Sequence, residues 1–371
     1  MKIRAIETVP VNVPINPDRA IIGARGGHVV SPFVVLRVHT DEGLVGLGEV
    51  SCTPNWSGED QGTAIHLIER YLAPRLVGED PRDIERLSRL MARVVANNSF
   101  TRAGIEMALW DILGKACGMP LYRLWGEAQR ERIPTKFSVS GLAPDRAAAI
   151  AAWAVDQGFT AMKVKVGGDL AEDLRRVAAV REAVGRDVRL GVDANGGWAP
   201  WVAIEAVRRL QSLDVWFLEQ PTSPNELTWM AQVRARSPIP VLADESVNTA
   251  YDAMAAIRAN AADAFSIYVG KAGGLMGARR IATLAEAGGL ACTIGSNLEM
   301  GIATAAMIHL GMVLPVGSVE TFPADILSVF FYEHMLTKEP LPVEAGWARP
   351  LEAPGLGVEL DDQALARYRV A

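Results

Sequence analysis

Three acidic residues close three successive apolar runs: Asp193 ends LGVD, Glu219 ends WFLE and Asp244 ends VLAD, at intervals of 26 and 25 residues. Runs apolar on both faces are what strands buried on both sides require. On neighbouring parallel strands, about 4.8 Å apart, the three carboxylates would meet at one end of the sheet. Carboxylates crowded together repel one another unless a cation lies between them. With no Cys or His in the set, oxygen-only ligation selects a hard ion, Mg²⁺ first and Mn²⁺ as the alternative, with room for water or substrate oxygens. For any one acid alone, the plainer alternative is an N-cap of the following helix, which Asp makes well and Glu less well. Three in succession argue for the cluster.

Lysines flank the trio in chain order. Lys163 and Lys165 in AMKVKVGG are two residues apart and so face one side of a strand, and Lys271 ends SIYVGKAGG beyond the last acid. Lysine is disfavoured inside a sheet, and the alternative is an edge strand with solvated lysines. At strand ends the lysines approach the carboxylates from opposite sides, which suits proton transfer on either face of a bound substrate. A proton α to a carboxylate is weakly acidic, so its removal needs an enediolate stabilised by a divalent cation. A lysine beside other cations has its pKa lowered and can then act as the base. Two other readings remain open. Lys163 or Lys165 could form the Schiff base of a metal-independent aldolase, which leaves the carboxylates without a purpose. A non-catalytic binding barrel is the other, and six intact charged residues argue against it.

Positioning these groups takes a parallel sheet. From residue 130 onward the chain alternates seven short apolar runs, PTKFSVSG, AMKVKVGG, VRLGVDANGG, VWFLEQP, PVLADES, AFSIYVGKAGG and ACTIGSN, with helices such as DRAAAIAAWAVDQ. A strand roughly every 25 residues fits a (β/α)8 barrel or an open doubly wound sheet, and the lack of an opening GxGxxG favours the barrel. An eighth strand is expected around VGSVETF. Ahead of the barrel, IRAIETVPVNVP, SPFVVLRVHT and LVGLGEV read as antiparallel strands, with Asp41-Glu42-Gly43 as a turn. DIERLSRLMARVV and RAGIEMALWDILGKA then read as helices, the second stopped by Gly118, Met119 and Pro120. Strands followed by helices make an α+β unit, to which the tail GLGVELDDQALARY is expected to return.

Composition narrows the partners. Half of the 371 residues are hydrophobic, ample for a large core. With 43 acidic residues against 37 basic ones and a net charge of -6, the chain lacks the footprint of a nucleic-acid binder. No run approaches 18 uncharged apolar residues and MKIRAIETVPVNVPINP holds no apolar signal core, so no membrane partner and a cytoplasmic location are expected. Cys52, Cys117 and Cys292 form no CxxC pair, which fits a reducing compartment.

HTDEGLVGLGEV and RAGIEMALWDILGKACGMPLYRLWG in the first domain, then KVK, DAN, EQP, ADES and GKAGG in order along the barrel, resemble the enolase superfamily. Within it they resemble the muconate lactonizing enzyme (muconate cycloisomerase) subgroup of the mandelate racemase/muconate lactonizing enzyme family, over nearly the whole chain. The fold this implies is an α/β barrel, a modified (β/α)7β TIM-like barrel at 128–340. Over it sits an α+β N-terminal capping domain at 1–127, completed by the C-terminal tail at 341–371. The resemblance implies Asp193, Glu219 and Asp244 as Mg²⁺ ligands, Lys165 as acid/base, Lys163 as its electrostatic partner and Lys271 on the opposite face. A mandelate racemase type would need a catalytic His late in the barrel, whereas His309 falls in a predicted helix and His334 in the tail. The lysines therefore decide the subgroup. Glu320 in GSVETFPADIL resembles the acid ending the eighth strand of muconate cycloisomerases, with a solvated loop acid as the alternative. Glu299 in GSNLEMG takes a supporting role beside Ser296 and Asn297, which are expected to line the pocket. Asn195 either orients the metal shell or makes an Asx-turn.

By the same resemblance, loops of the capping domain read the substrate, here AIIGARGGHVV, with Gly23, Gly26 and Gly27 allowing a lid, and SCTPNWSGED. Arg25 or His28 would meet a second carboxylate and Trp56 would cover an apolar part, or these are plain surface. Phe322 would wall the pocket. No DxD pattern follows the seventh strand to bind a dipeptide's ammonium group. The small carboxylate substrate is read first as a muconate-like dicarboxylate undergoing cycloisomerisation, through Lys165, Lys271 and Glu320. Racemisation or epimerisation of an amino-acid derivative comes second, and dehydration of a sugar acid third. A homo-oligomer, dimer or octamer, is implied, with Trp198 and Trp201 either as contacts between copies or as packing in the helical shell.

Overall fold

A computed structural model describes residues 1–126 and 128–370, and the side chain of His28 lies outside the described residues. The chain opens with β1 (Ile3–Pro14), in which Val9, Val11 and Val13 are buried while Asn12 and Pro14 are exposed, the period of a half-buried strand. A short hairpin follows, β2 (Ile21–Gly23) against β3 (Gly26–His28). Then β4 (Val30–Thr40) and β5 (Val45–Ser51) join β1 in an antiparallel sheet of order β1-β4-β5.

Among the described residues five α-helices complete this unit, α1 (Gln61–Leu67), α2 (Ala73–Leu76), α3 (Ile84–Val94), α4 (Ser99–Cys117) and α5 (Leu121–Leu124), with a π-helical turn at Ile68–Leu72 joining the first two. Helix α4 lies on β5 almost backbone to backbone. A Cβ on Gly48 would stand 1.9 Å from the Gly104 carbonyl oxygen, and one on Gly46 would stand 2.1 Å from that of Ala108.

After β6 (Ile133–Pro134), seven parallel strands run in sequence order: β7 (Phe137–Val139), β8 (Ala161–Lys165), β9 (Arg189–Asp193), β10 (Val215–Glu219), β11 (Val241–Ala243), β12 (Ala264–Ile267) and β13 (Ala291–Ile294). Between them and beyond lie α6 (Pro144–Gln157), α7 (Leu170–Val184), α8 (Pro200–Leu210), α9 (Leu227–Arg234), α10 (Ala250–Arg258), α11 (Leu275–Ala287) and α12 (Gly301–Val313). Residues 323–325 close the ring. Ala324 N–H donates to Pro134 O and Lys136 N–H to Ala324 O, both at 2.9 Å, while Asp325 N–H donates to Ile294 O at 2.8 Å on the other side.

The eighth position therefore follows VGSVETF and does not lie within it. That segment forms α13 (Ser318–Thr321): Gly317, at φ 85°, turns the chain, and Glu320 accepts the Gly317 N–H in a capping arrangement that overrides the strand-like pattern. The tail first pairs β14 (Val343–Glu344) with β15 (Trp347–Ala348) and β15 with β6, on the barrel side. It then reaches β1 beside α14 (Asp362–Tyr368), where Val370 N–H donates to Pro10 O at 3.0 Å.

Two buried carboxylates fix the first unit over the barrel. Glu49 of β5 accepts the N–H groups of Met300 (2.8 Å) and Ala303 (3.1 Å) at the start of α12. Glu106 of α4 accepts those of Leu275 (2.8 Å) and Met276 (2.9 Å) at the start of α11. Barrel helices begin where strands end, so both contacts lie at the mouth where active sites of this fold sit. Among the described residues no helix is long and apolar enough to cross a membrane.

Candidate active site

Register brings the charged residues together. Lys165 pairs with Asp193, and Asp193 with Glu219, across β8, β9 and β10; Asp244 follows β11 directly. All three carboxylates are fully buried. Lys163 Nζ donates to Glu219 Oε1 and Asp325 Oδ2, both at 2.9 Å, and lies 3.5 Å from Asp193 Oδ2. Lys165 Nζ donates to Asp193 Oδ2 at 2.7 Å and to Asn195 Oδ1 at 3.0 Å. Lys271 Nζ donates to Asp244 Oδ1 (2.5 Å), Asp244 O (2.6 Å) and Ser266 O (2.9 Å). The Tyr268 hydroxyl donates to Asp244 Oδ2 at 2.8 Å.

Electrostatics separates these groups. Burial works against the Lys163 charge, yet Asp325, Glu219 and Asp193 outweigh it and hold the ammonium well above the ordinary lysine range. Burial also opposes the Asp193 charge, but Lys165 and Lys163 bring its pKa down to about 2. Glu219 goes the other way. Burial, helped by Asp193, Asp244 and Asp325 against Lys163, pushes it up to about 8.

Among the described residues no three acidic, His or Cys side chains converge on one point, because the acids are turned onto lysines. The donor set nevertheless suits a hard cation. Glu219 Oε2 and Glu245 Oε2 are enclosed without a hydrogen-bond partner, and Glu219 is crowded by three other acids. Oxygen donors alone, with carboxylate oxygens left unpartnered, are what Mg²⁺ fits.

Above the strand ends lies a cavity of about 280 Å³, a size for a small molecule. Lys163, Lys165, Asn195, Tyr268, Ser296, Asn297 and Asp325 line it from the barrel; Gly23, Arg25 and Trp56 line it from the first unit. The glycine-rich segment read as a loop is the β2–β3 hairpin. It is docked by Ile22 N–H on Ser140 Oγ (2.8 Å) and by Gly141 N–H on Ile22 O (2.7 Å). Arg25 Nε stands 3.5 Å from Glu245 Oε1, and Asn195 Nδ2 donates to that same oxygen at 3.1 Å. Asn195 also donates its N–H to Asp193 Oδ1 at 2.9 Å, so its side chain links Lys165 to Glu245 while its backbone makes the turn. Glu299 does not line the cavity; it accepts from Ser296 Oγ (2.5 Å) and Asn297 N–H (3.1 Å) and so sets the loop that does. Asn297 Nδ2 is left unpartnered.

Residues 145–364 match the family described as "Enolase C-terminal domain-like", and residues 4–126 match the "Mandelate racemase / muconate lactonizing enzyme, N-terminal domain". The chain belongs to the enolase superfamily. It is 30% identical to the N-succinyl-L-Arg/Lys racemase of Bacillus cereus, over 100% of this chain and 98% of that one. It is 32% identical to muconate cycloisomerase 1 of Rhodococcus opacus, over 99% and 98%. A dipeptide epimerase from Cytophaga hutchinsonii, solved with Mg and D-Ala-L-Val, superposes with a TM-score of 0.93 at 30% identity, covering 99% of this chain and 98% of that one. Like these relatives, this chain is an enzyme.

Within this enolase-superfamily barrel, several expectations are corrected. Lys271 does not line the cavity: the chain turns after β12, so its side chain points into Asp244 and Ser266 and is fully enclosed. Glu320 lies before the closing segment, at the far end of the barrel from the mouth, half-exposed and paired with Arg130 at 2.8 Å. Phe322 packs with Phe217, Leu242 and Ala264 and stacks on Trp216, away from the cavity. Trp198 is buried, its Nε1 donating to Asp173 at 3.2 Å, whereas Trp201 is exposed. The expectation for His28 falls on a side chain outside the described residues.

Four residues escaped sequence reasoning. Asp325 takes the place assigned to Glu320, and its signal was present, since PAD closes a short apolar run as LAD does for Asp244. Glu245 adjoins Asp244, and burial together with Asp244 and Asp193 pushes it up to about 7 against Arg25. Lys136, buried, lies 3.2 Å from Asp325 Oδ2. Tyr268 stands in SIYVGK three residues before Lys271, and a phenol among apolar strand residues reads as core.

Proposed function

We propose that the protein removes the proton α to the carboxylate of a small substrate with Lys165 as base, and that the overall reaction is cycloisomerisation of a muconate-type dicarboxylate. One observation carries the assignment of the base: Lys165 Nζ reaches the cavity with its side chain 14% exposed, while Lys163 two residues earlier is locked among Glu219, Asp325 and Asp193. Two lysines on one face thus have separate tasks. Lys163 stays charged and lends its field to the site. Lys165, oriented by Asn195 and Asp193, exchanges the proton.

Asp193, Glu219 and Asp244 would hold Mg²⁺, which when bound supplies positive charge to the oxygens of the deprotonated substrate carboxylate. Arg25 and the unpartnered Asn297 Nδ2 are placed to meet a second carboxylate, and Trp56 to cover an apolar segment. In the direction of ring closure, that second carboxylate adds to the double bond while the Lys165 ammonium delivers a proton to the α-carbon; the reverse returns the proton to Lys165. A second reading, racemisation of an amino-acid derivative, is supported by the full-length similarity to a racemase.

The test is proton NMR in D₂O with Mg²⁺ and a panel of muconates, muconolactone and N-acyl amino acids. The α-proton of one class is expected to exchange, and Lys165→Ala to lose that exchange by about 10²- to 10⁴-fold. Undiminished exchange in Lys165→Ala would reject Lys165 as base.

A further inference from the structure

The wall of the cavity facing Lys165 is closed by a phenol. In a ring of eight strand positions the second and sixth are diametrically opposed; Lys165 ends the second, β8, and Tyr268 follows the sixth, β12. Tyr268 lines the cavity and Lys271 does not. An ammonium has three donors, and those of Lys271 meet Asp244 Oδ1, Asp244 O and Ser266 O at 2.5, 2.6 and 2.9 Å, in a side chain with no exposure at all.

The Tyr268 ring also has a prepared seat. A Cβ on Gly295, at the end of the neighbouring β13, would stand 1.8 Å from Tyr268 Cε1, so only glycine leaves the ring its place. Trp56 stacks on the ring at 5.2 Å, Lys271 Nζ lies 4.5 Å from its centroid, and the hydroxyl is fixed on Asp244.

We propose that Tyr268 is the group facing the substrate opposite Lys165, and that proton transfer at the α-carbon is confined to the Lys165 face. Lys271 is then a positioning residue that holds Asp244. This inference rests on the assignment of Lys165 as base. The C–H bond breaks, its proton passes to the Lys165 amine, the ammonium exchanges with solvent, and a deuteron returns from Lys165 to the same face of the same carbon. Additions and eliminations on one face are served by this arrangement. Racemisation, which needs removal on one face and delivery on the other, is not.

The experiment follows deuterium into muconolactone, which carries two α-hydrogens, and into N-succinyl-L- and N-succinyl-D-phenylalanine, which present theirs on opposite faces. Exchange is expected at one muconolactone hydrogen, or in one enantiomer, at least about 100-fold faster than at the other, with retention and no interconversion. Tyr268→Lys should raise exchange on the silent face. Tyr268→Phe, which keeps the ring, and Lys271→Met should change the rate and leave the ratio between faces. Comparable exchange on both faces, or loss of one face alone in Lys271→Met, would overturn the inference and leave Lys165 as base intact. Absence of exchange in every probe with the unaltered enzyme would overturn the assignment of Lys165 and this inference together.

Discussion

His309 should make the protein acid-sensitive in a window that its replacement abolishes. The imidazole lies in α12, fully buried, with Nε2 3.1 Å from Leu356 O, Nδ1 3.4 Å from Tyr122 N and the ring stacked on Tyr122 at 5.9 Å. These partners assign the tautomer: Nε2–H donates and Nδ1 accepts. A second proton on Nδ1 would set a donor against the Tyr122 N–H. Burial accordingly lowers the pKa from 6.5 to about 4. The folded pKa being the lower one, the unfolded chain takes the proton first. The contribution is therefore complete above pH 6.5 and is lost as the pH falls toward 4. About two and a half pH units, at about 1.4 kcal/mol each, make about 3 kcal/mol, a large share of a marginal stability. Urea unfolding of the unaltered protein and of His309→Gln at pH 7.5 and pH 4 measures it. The variant should be the less stable at pH 7.5, and the gap should narrow by about 3 kcal/mol at pH 4, since distant acids titrate alike in both and cancel. A gap that stays constant would refute the reasoning.

Three further outcomes are expected. Asp244→Asn should abolish Mg²⁺-dependent α-proton exchange and weaken Mg²⁺ binding measured by calorimetry; retained Mg²⁺-dependent turnover would remove Asp244 from the site. Gly48→Ala should lower stability by about 3 kcal/mol or more, seen as a fall in melting temperature, because its Cβ meets backbone that no rotamer change can move. Gly62→Ala, which meets only Asp60 Oδ1 at 3.5 Å, is the control and should change little. Glu106→Ala leaves the Leu275 and Met276 N–H groups without an acceptor, and should cost about 3 kcal/mol and speed hydrogen exchange at the start of α11.

Much of the barrel was legible because each strand is a short apolar run bounded by turn residues, and the acids at β9, β10 and β11 stand where those runs stop. Legibility ended where the local period ended. Two-residue alternation places Lys163 and Lys165 on one face, but beyond Ile267 the chain enters turns, with Ala272 N–H on Tyr268 O and Gly274 N–H on Val269 O, and no periodicity points Lys271. Glu320 was misplaced because a capping arrangement at Gly317 turned a strand-like run into helix, which carried the true strand end on to Asp325. Trp198 reads equally as surface or as shell packing, and only the structure decides: its indole N–H shares Asp173 Oδ2 with the N–H groups of Gly167 and Gly168. Such contacts join residues distant in sequence, so no local pattern announces them.

The contacts of Glu49 and Glu106 with α12 and α11 separate two evolutionary burdens that a one-piece mouth would combine. They tie β5 and α4 to the barrel through backbone N–H groups, which any residue but proline supplies, so the join tolerates drift in the sequence it grips. Among the described residues, 21–27 and 53–56 take no part in those four hydrogen bonds, while Gly23, Arg25 and Trp56 among them wall the cavity. Under the proposed function, the surface that reads the substrate is thus carried apart from the contacts that hold β5 and α4 in place. Grafting these two segments from a relative with another substrate would move recognition without moving the base, which is one route by which a single proton-abstracting core comes to serve many substrates.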